Sequence, residues 1–232
     1  MYEAIKLFIL GQPGSGKSTI GRVIAKALDK RGLRSTHIND YAILKQMFRD
    51  DTEGKQFQPA GCDGFDVIDL NVIDTALKKL EQSAQRLISY QPKQVILIEF
   101  ARNDYRRALQ QFSATFLQDA YFLYIQAEIE QCKQRINNRV AHPTCVDDYY
   151  VSEYILDTYY NHDDMKCLSH ILIDEYGIDK QHVEGIDNNS SLEEALTIIY
   201  PFVDTIIDHK SADQNTLSQP ESGKQQCLLP LH

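Results

Sequence analysis

The chain is short of positive charge. Against 33 Asp and Glu stand only 24 Lys and Arg in 232 residues, a formal net charge of −9. Broad binding to polyanions rests on a surplus of cations, so the deficit weighs against long nucleic acid as a partner. An acidic chain handles anions by gathering a few cations in one cleft. Long apolar runs are also missing. The run Leu7–Leu10, between Lys6 and Gly11, is too short for a secretory h-region and lacks a cleavage-site pattern. No run reaches the roughly 18 residues that span a membrane, so no membrane association is expected. The cysteines Cys62, Cys132, Cys145, Cys167 and Cys227 are odd in number and form no CxxC pair. That excludes a disulfide framework and favours reduced thiols in a cytoplasmic setting. His142, Cys145, His162 and Cys167 show no metal-ligand spacing and read as unrelated residues. A content of 43% hydrophobic and 25% charged residues excludes a disordered, collagen-like or disulfide-scaffold chain. There is no internal repeat and no linker before the C-terminal tail.

What is present is an alternation of short apolar runs and amphipathic stretches. Strands are predicted at Ile5–Leu10, Ser35–Asn39, Val95–Ile98, Tyr121–Ile125, Ile171–Ile173 and Val183–Ile186. Helices are predicted at Ser18–Lys30, Tyr41–Phe48, Leu70–Leu87, Tyr105–Phe116, Ile129–Val140 and Val151–Tyr160. Pro92 ends the third of these, whose apolar spacings alternate three and four. Residues 50–66 carry Gly54, Pro59, Gly61 and Gly64 and read as a surface loop. Ser191-Leu-Glu-Glu194 is a capping box that opens a last helix, which Pro201 is expected to kink or end. From Lys210 the composition turns to Ser, Gln, Asp and Pro, which predicts a disordered tail over 210–232. Residues 1–209 then form one α/β domain. Its mostly parallel sheet is covered by helices on both faces, in three layers, with a short lid.

The sharpest signal is Gly11-Gln12-Pro13-Gly14-Ser15-Gly16-Lys17-Ser18, followed by Thr19. It fits GxxxxGK(S/T) between a predicted strand and a predicted helix. Glycines let the backbone turn its N–H groups inward as an anion nest, and the following helix adds its positive end. In such a loop the Lys17 ammonium meets the β- and γ-phosphates, and the Ser18 hydroxyl meets Mg²⁺.

Two acids end strand candidates, where an open parallel sheet lines its ligand crevice. Asp40 is placed to take a proton from an acceptor hydroxyl, or else to cap the helix after it. Glu99 closes Val95-Ile-Leu-Ile-Glu99 and sits where a Walker B carboxylate holds the Mg²⁺ through water. Arg102 follows as a candidate clamp for an acceptor phosphate. Arg135 and Arg139 lie one turn apart on the helix before the loop 141–148, as candidates to neutralise a transferring phosphoryl group. Lys45 and Arg49 are weaker candidates for touching the acceptor. Arg106 and Arg107 read as surface charges.

With these residues in hand the chain resembles P-loop kinases of the nucleoside-monophosphate-kinase-like group over about residues 3–208. The segment Asn39-Asp40-Tyr41 is similar to polynucleotide 5′-hydroxyl kinases, and GQPGSGKS with Glu99 to zeta-toxin-like kinases. The resemblance implies a P-loop NTPase fold, ATP and Mg²⁺ as cofactors, and a small-molecule phosphoryl acceptor. It also implies an adenine-packing loop at Asp187–Ser190, with Asp187 and Asn188 in contact with the nucleotide. The Asp-Gly-x-Pro-Arg acceptor motif of adenylate kinases is absent, with Glu99-Phe-Ala-Arg102 in its place. The expected activity is transfer of a γ-phosphoryl group to a small hydroxyl or phosphate acceptor, nucleosides and nucleotides among the candidates. A nucleotide-dependent switch that binds a partner, and a polynucleotide 5′-hydroxyl kinase, are the alternatives. No NKxD base-recognition motif supports the switch.

Overall fold

In the computed structural model, residues 4–60, 64–142, 150–160, 165–189 and 191–217 are described, the stretch 209–217 as backbone only. The chain opens with β1 (Ile5–Gly11), a turn, α1 (Lys17–Asp29), β2 (Ser35–Asn39) and α2 (Asp40–Asp50). A hairpin of β3 (Phe57–Ala60) and β4 (Gly64–Val67) precedes the long α3 (Asn71–Tyr90). Then come β5 (Val95–Phe100), α4 (Tyr105–Leu109), α5 (Ala114–Leu117), β6 (Tyr121–Gln126) and α6 (Ile129–Ala141). The short α7 (Glu153–Ile155) runs into a π-helical turn at Leu156–Tyr160. After it come α8 (Leu168–His170), β7 (Val183–Asp187) and α9 (Leu192–Leu217).

The five strands β1, β2, β5, β6 and β7 pair in the order β2-β5-β1-β6-β7, all parallel. Central strands of such a sheet are buried on both faces, which is why β1 and β5 read as continuous apolar runs. Along β1 the side chains alternate. Phe8 and Leu10 join a core with α3, α4, α5 and residues 165–178, while Leu7 and Ile9 pack against α1 and α9. The three-layer arrangement follows from that alternation. On the first face Phe8 stacks on Phe122 at 4.9 Å and meets Phe112 edge-on at 5.3 Å. Full burial of each such side chain contributes about 1.5–3 kcal/mol.

Several expectations need correction. The predicted strand Ile171–Ile173 is a π-helical turn over Ile171–Glu175. Its apolar residues Ile171 and Leu172 fill the core beside Leu168 instead of pairing with the sheet. A run that short carries no period, so burial alone cannot separate strand from helix. The supposed surface loop 50–66 contains β3 and part of an antiparallel hairpin in which Phe57 faces Val67. Phe57 and Met47 are buried there with Val72 and Ala76, so the hairpin covers α2 and α3. The Asp51 carboxylate organises its approach by accepting from the amides of Gln56 (2.7 Å), Phe57 (3.0 Å) and Lys55 (3.2 Å). These bonds hold that carboxyl below its ordinary value. The predicted helix 105–116 is two short helices, because the Glu81 carboxylate captures the Ser113 amide and hydroxyl at 2.8 and 2.5 Å. Pro201 lies inside α9, which runs to Leu217 across the expected start of the tail. Residues 218–232 lie outside the described residues. The Ser191 hydroxyl caps α9 as expected, accepting from the Glu194 amide at 3.3 Å.

Candidate functional site

The glycine-rich turn joins β1 to α1 at the C-terminal edge of the central strand. Gly14 and Gly16 hold φ of 82° and 102°, the left-handed region that favours glycine. Their neighbours also leave no room. A Cβ on Gly14 meets the Cys132 carbonyl oxygen at 2.5 Å, and one on Gly16 meets Asn188 Nδ2 at 2.4 Å. Lys17 is buried, its Nζ donating to the Gln12 carbonyl at 2.8 Å. Burial pushes its ammonium below the ordinary value, and the charges of Glu99 and Asp40 oppose that shift. Thr19 faces outward and its hydroxyl accepts from Arg22 at 3.2 Å.

Glu99 stands at the end of β5, level with Ile9 of β1 and Asn39 of β2. Its Oε1 accepts from the Ser18 hydroxyl at 2.9 Å, and its Oε2 lies 2.9 Å from His37 Nε2. Burial pushes this carboxyl up, but His37, Lys17 and Ser18 outweigh it and hold the group below its ordinary value. A serine hydroxyl and an ionised carboxylate beside a lysine form a hard-oxygen pair of the kind Mg²⁺ accepts, with waters filling the rest of its shell.

Asp40 begins α2, but Asn39 is the cap, its side chain accepting from the Ala42 amide at 2.9 Å. The capping role considered for Asp40 therefore belongs to its neighbour. Asp40 instead turns inward to Arg102, whose Nη1 donates to Oδ2 at 2.5 Å. Arg102 also donates to the carbonyls of Ala101 (2.5 Å) and Ile73 (3.0 Å). Both residues are buried, at 7% and 5% exposure. Burial pushes the Asp40 carboxyl up, and the guanidinium only partly draws it back.

Arg102 lines a cavity of about 140 Å³. Its walls come from α2 (Tyr41, Leu44), β4 (Phe65, Asp66, Val67), the start of α3 (Ile73) and residues 150–160. Lys45 is not among the lining side chains, and its Nζ sits 5.8 Å from the centre of the Tyr41 ring. Arg49 is exposed at the end of α2. Arg106 and Arg107 pair at the surface with Glu175 and Asp74.

Arg135 binds the rear of the glycine-rich turn. It donates to the carbonyls of Asn188 (2.7 Å), Ser15 (3.4 Å) and Gly14 (3.5 Å) and to Gln131 Oε1 (3.1 Å). Asn188 completes the clasp by donating from Nδ2 to the Ser15 carbonyl at 2.7 Å. Asp187 is exposed and accepts from the Asn189 amide at 3.0 Å. Ser190 lies outside the described residues. The Arg139 charge is felt at Lys17, which ties the last turn of α6 to the same site. The lid-like loop beyond it lies largely outside the described residues, as do Cys145 and His162.

Two residues escaped sequence reasoning. The buried Tyr105 hydroxyl accepts from the Gly11 amide at 2.8 Å and anchors the start of the turn. Tyr105 read only as an apolar helix position. His37 was one member of a short strand with no motif around it.

The family model for an AAA domain matches residues 7–157 of this chain. No curated protein matches it by sequence. Among solved structures, the chain is similar to Chaetomium thermophilum Kti12 in complex with ADP-AlF3. That likeness has a TM-score of 0.55 and 14% identity, covering 87% of this chain and 98% of that one. It is also similar to the APS kinase CysC of Mycobacterium tuberculosis in complex with AMPPNP and APS. There the TM-score is 0.53 and the identity 12%, covering 90% and 98%. At these identities the likeness is one of fold, that of a P-loop NTPase.

Proposed function

The chain belongs to the AAA domain family, and on that footing we propose that it is an ATP-dependent phosphotransferase acting on a small acceptor. The observation that carries this reading is the coupling of two sites. The glycine-rich turn with Lys17 is one. The other is the cavity lined by Arg102, whose ion-pair partner Asp40 also attracts the Lys17 ammonium. A switch that only hydrolyses nucleotide has no need of the second site. The APS kinase neighbour was solved with AMPPNP and with APS, which accords with this reading.

In this account the backbone N–H groups of residues 11–18 and the positive end of α1 cradle the phosphates of ATP. Lys17 swings from the Gln12 carbonyl onto the β- and γ-phosphates. Ser18 and Glu99 would hold Mg²⁺, which would supply positive charge to offset that of the phosphates. Asp40 accepts the proton of the acceptor hydroxyl. Its raised pKa brings it nearer to neutrality, where a general base works best, and Arg102 holds it in place. Arg139 offsets charge that builds on the transferred group. Arg135 and Asn188 keep the turn in shape from behind.

The test follows ADP release and γ-phosphate transfer across a panel of small hydroxyl and phosphate compounds. Lys17→Ala should abolish transfer. Unchanged turnover in that variant would overturn the assignment.

A further inference from the structure

Resting on the kinase reading above, we propose that the acceptor is an uncharged, unphosphorylated alcohol carrying a planar ring, the class that includes nucleosides. The first ground is the wall of the cavity. Tyr41 and Phe65 stack at 5.6 Å with an interplanar angle of 10°. Tyr159 and Tyr160, from a different segment, meet edge-on at 4.8 Å and 82°. All four rings line the cavity, and Tyr150 adds a fifth. Such a wall offers stacking faces and edges to a planar guest and little to a flexible polyol.

The second ground is charge. Among the described lining residues Arg102 is the one Lys or Arg, and Asp66 is an acid. Arg102 is already engaged by Asp40 and by two carbonyls, so its charge is compensated. An acceptor phosphate or carboxylate here would lose its hydration and find, among the described lining residues, no Lys or Arg whose charge is not already balanced. A neutral ligand fares differently. Arg102 Nε is buried without a hydrogen-bond partner among the described residues and offers a donor to a hydroxyl or ring-carbonyl oxygen.

The transfer balances with ATP as the donor. The acceptor oxygen bonds to the γ-phosphorus, and the bond from that phosphorus to the β,γ-bridging oxygen breaks. ADP leaves, and the hydroxyl proton passes to Asp40 and then to solvent.

The experiment is titration calorimetry on the full chain saturated with Mg²⁺ and AMPPNP, so that the donor site is filled. The ligands are five common nucleosides, their 5′-monophosphates, gluconate, shikimate and a short 5′-hydroxyl oligonucleotide. At least one nucleoside should bind about tenfold or more tighter than its monophosphate, and gluconate and shikimate should not bind. Phe65→Leu and Tyr159→Leu should each weaken that nucleoside about tenfold, the scale of one lost stacking contact. AMPPNP affinity and the melting curve report whether both variants stay folded. The proposal is overturned if a monophosphate or an acid binds tighter than every nucleoside. It is likewise overturned if the oligonucleotide does so, if no nucleoside binds, or if both folded variants keep full affinity. Nucleoside binding without transfer from Mg-ATP would uphold this pocket and overturn the kinase reading instead.

Discussion

Arg102 Nη1 lies 2.5 Å from Asp40 Oδ2, and both side chains are buried between the glycine-rich turn and the aromatic cavity. Removing one partner of a buried ion pair strands the other, at a cost of about 3–5 kcal/mol. Arg102→Met should therefore lower the melting temperature sharply. Asp40→Asn keeps the shape and an acceptor oxygen for Arg102 but removes its counter-charge, so some stability is lost here too. It should retain ATP binding while slowing transfer by about 10²–10⁴-fold, the range of a lost general base. Equal losses in binding and turnover would make the pair purely structural.

Glu99 gives the pH dependence a sign. Its folded carboxyl titrates below the ordinary value. The stability it contributes is present above the unfolded value and is lost as pH falls through the folded one. Glu99→Gln removes that dependence. The gap in melting temperature between wild type and variant should narrow as pH falls from about 6 to about 3. The same variant should need a higher Mg²⁺ concentration for half-maximal ADP release.

Arg135 donates to the carbonyls of Asn188, Ser15 and Gly14 behind the turn. If it supports the turn without touching the phosphates, Arg135→Ala should raise KM for ATP about tenfold and change kcat little. A larger loss in kcat than in ATP affinity would assign it to the transferring group.

Tyr105→Phe deletes one hydroxyl and leaves the Gly11 amide buried without its acceptor. The expected loss is about 1–3 kcal/mol of stability, read from denaturant unfolding. A neutral result would mean that the amide finds another acceptor.

The layered sheet was legible because β1, β5 and β6 are apolar runs ended by glycine or polar residues, and α1, α3 and α6 carry one-sided apolar spacing. The glycine-rich turn was legible because its backbone geometry restricts composition. Glu99 could be placed because a strand end fixes where a side chain emerges. The Asp40–Arg102 pair was not legible. It joins residues 62 positions apart, and sequence spacing says nothing about contacts across a sheet edge. The hairpin at β3 and β4 was masked by its glycines and proline, which have the same composition as a loop. Pro201 does not end the last helix, the outcome its restricted backbone allowed for, because α9 packs Phe202, Val203 and Ile206 into the core and continues through it.

The most direct test of the account is to follow γ-labelled ATP with purified protein and Mg²⁺, with and without the best-bound nucleoside. The account predicts that the nucleoside raises ADP release and that the label moves onto it in equal amount. Acceptor-independent ADP release, with all of the label recovered as inorganic phosphate, would contradict it.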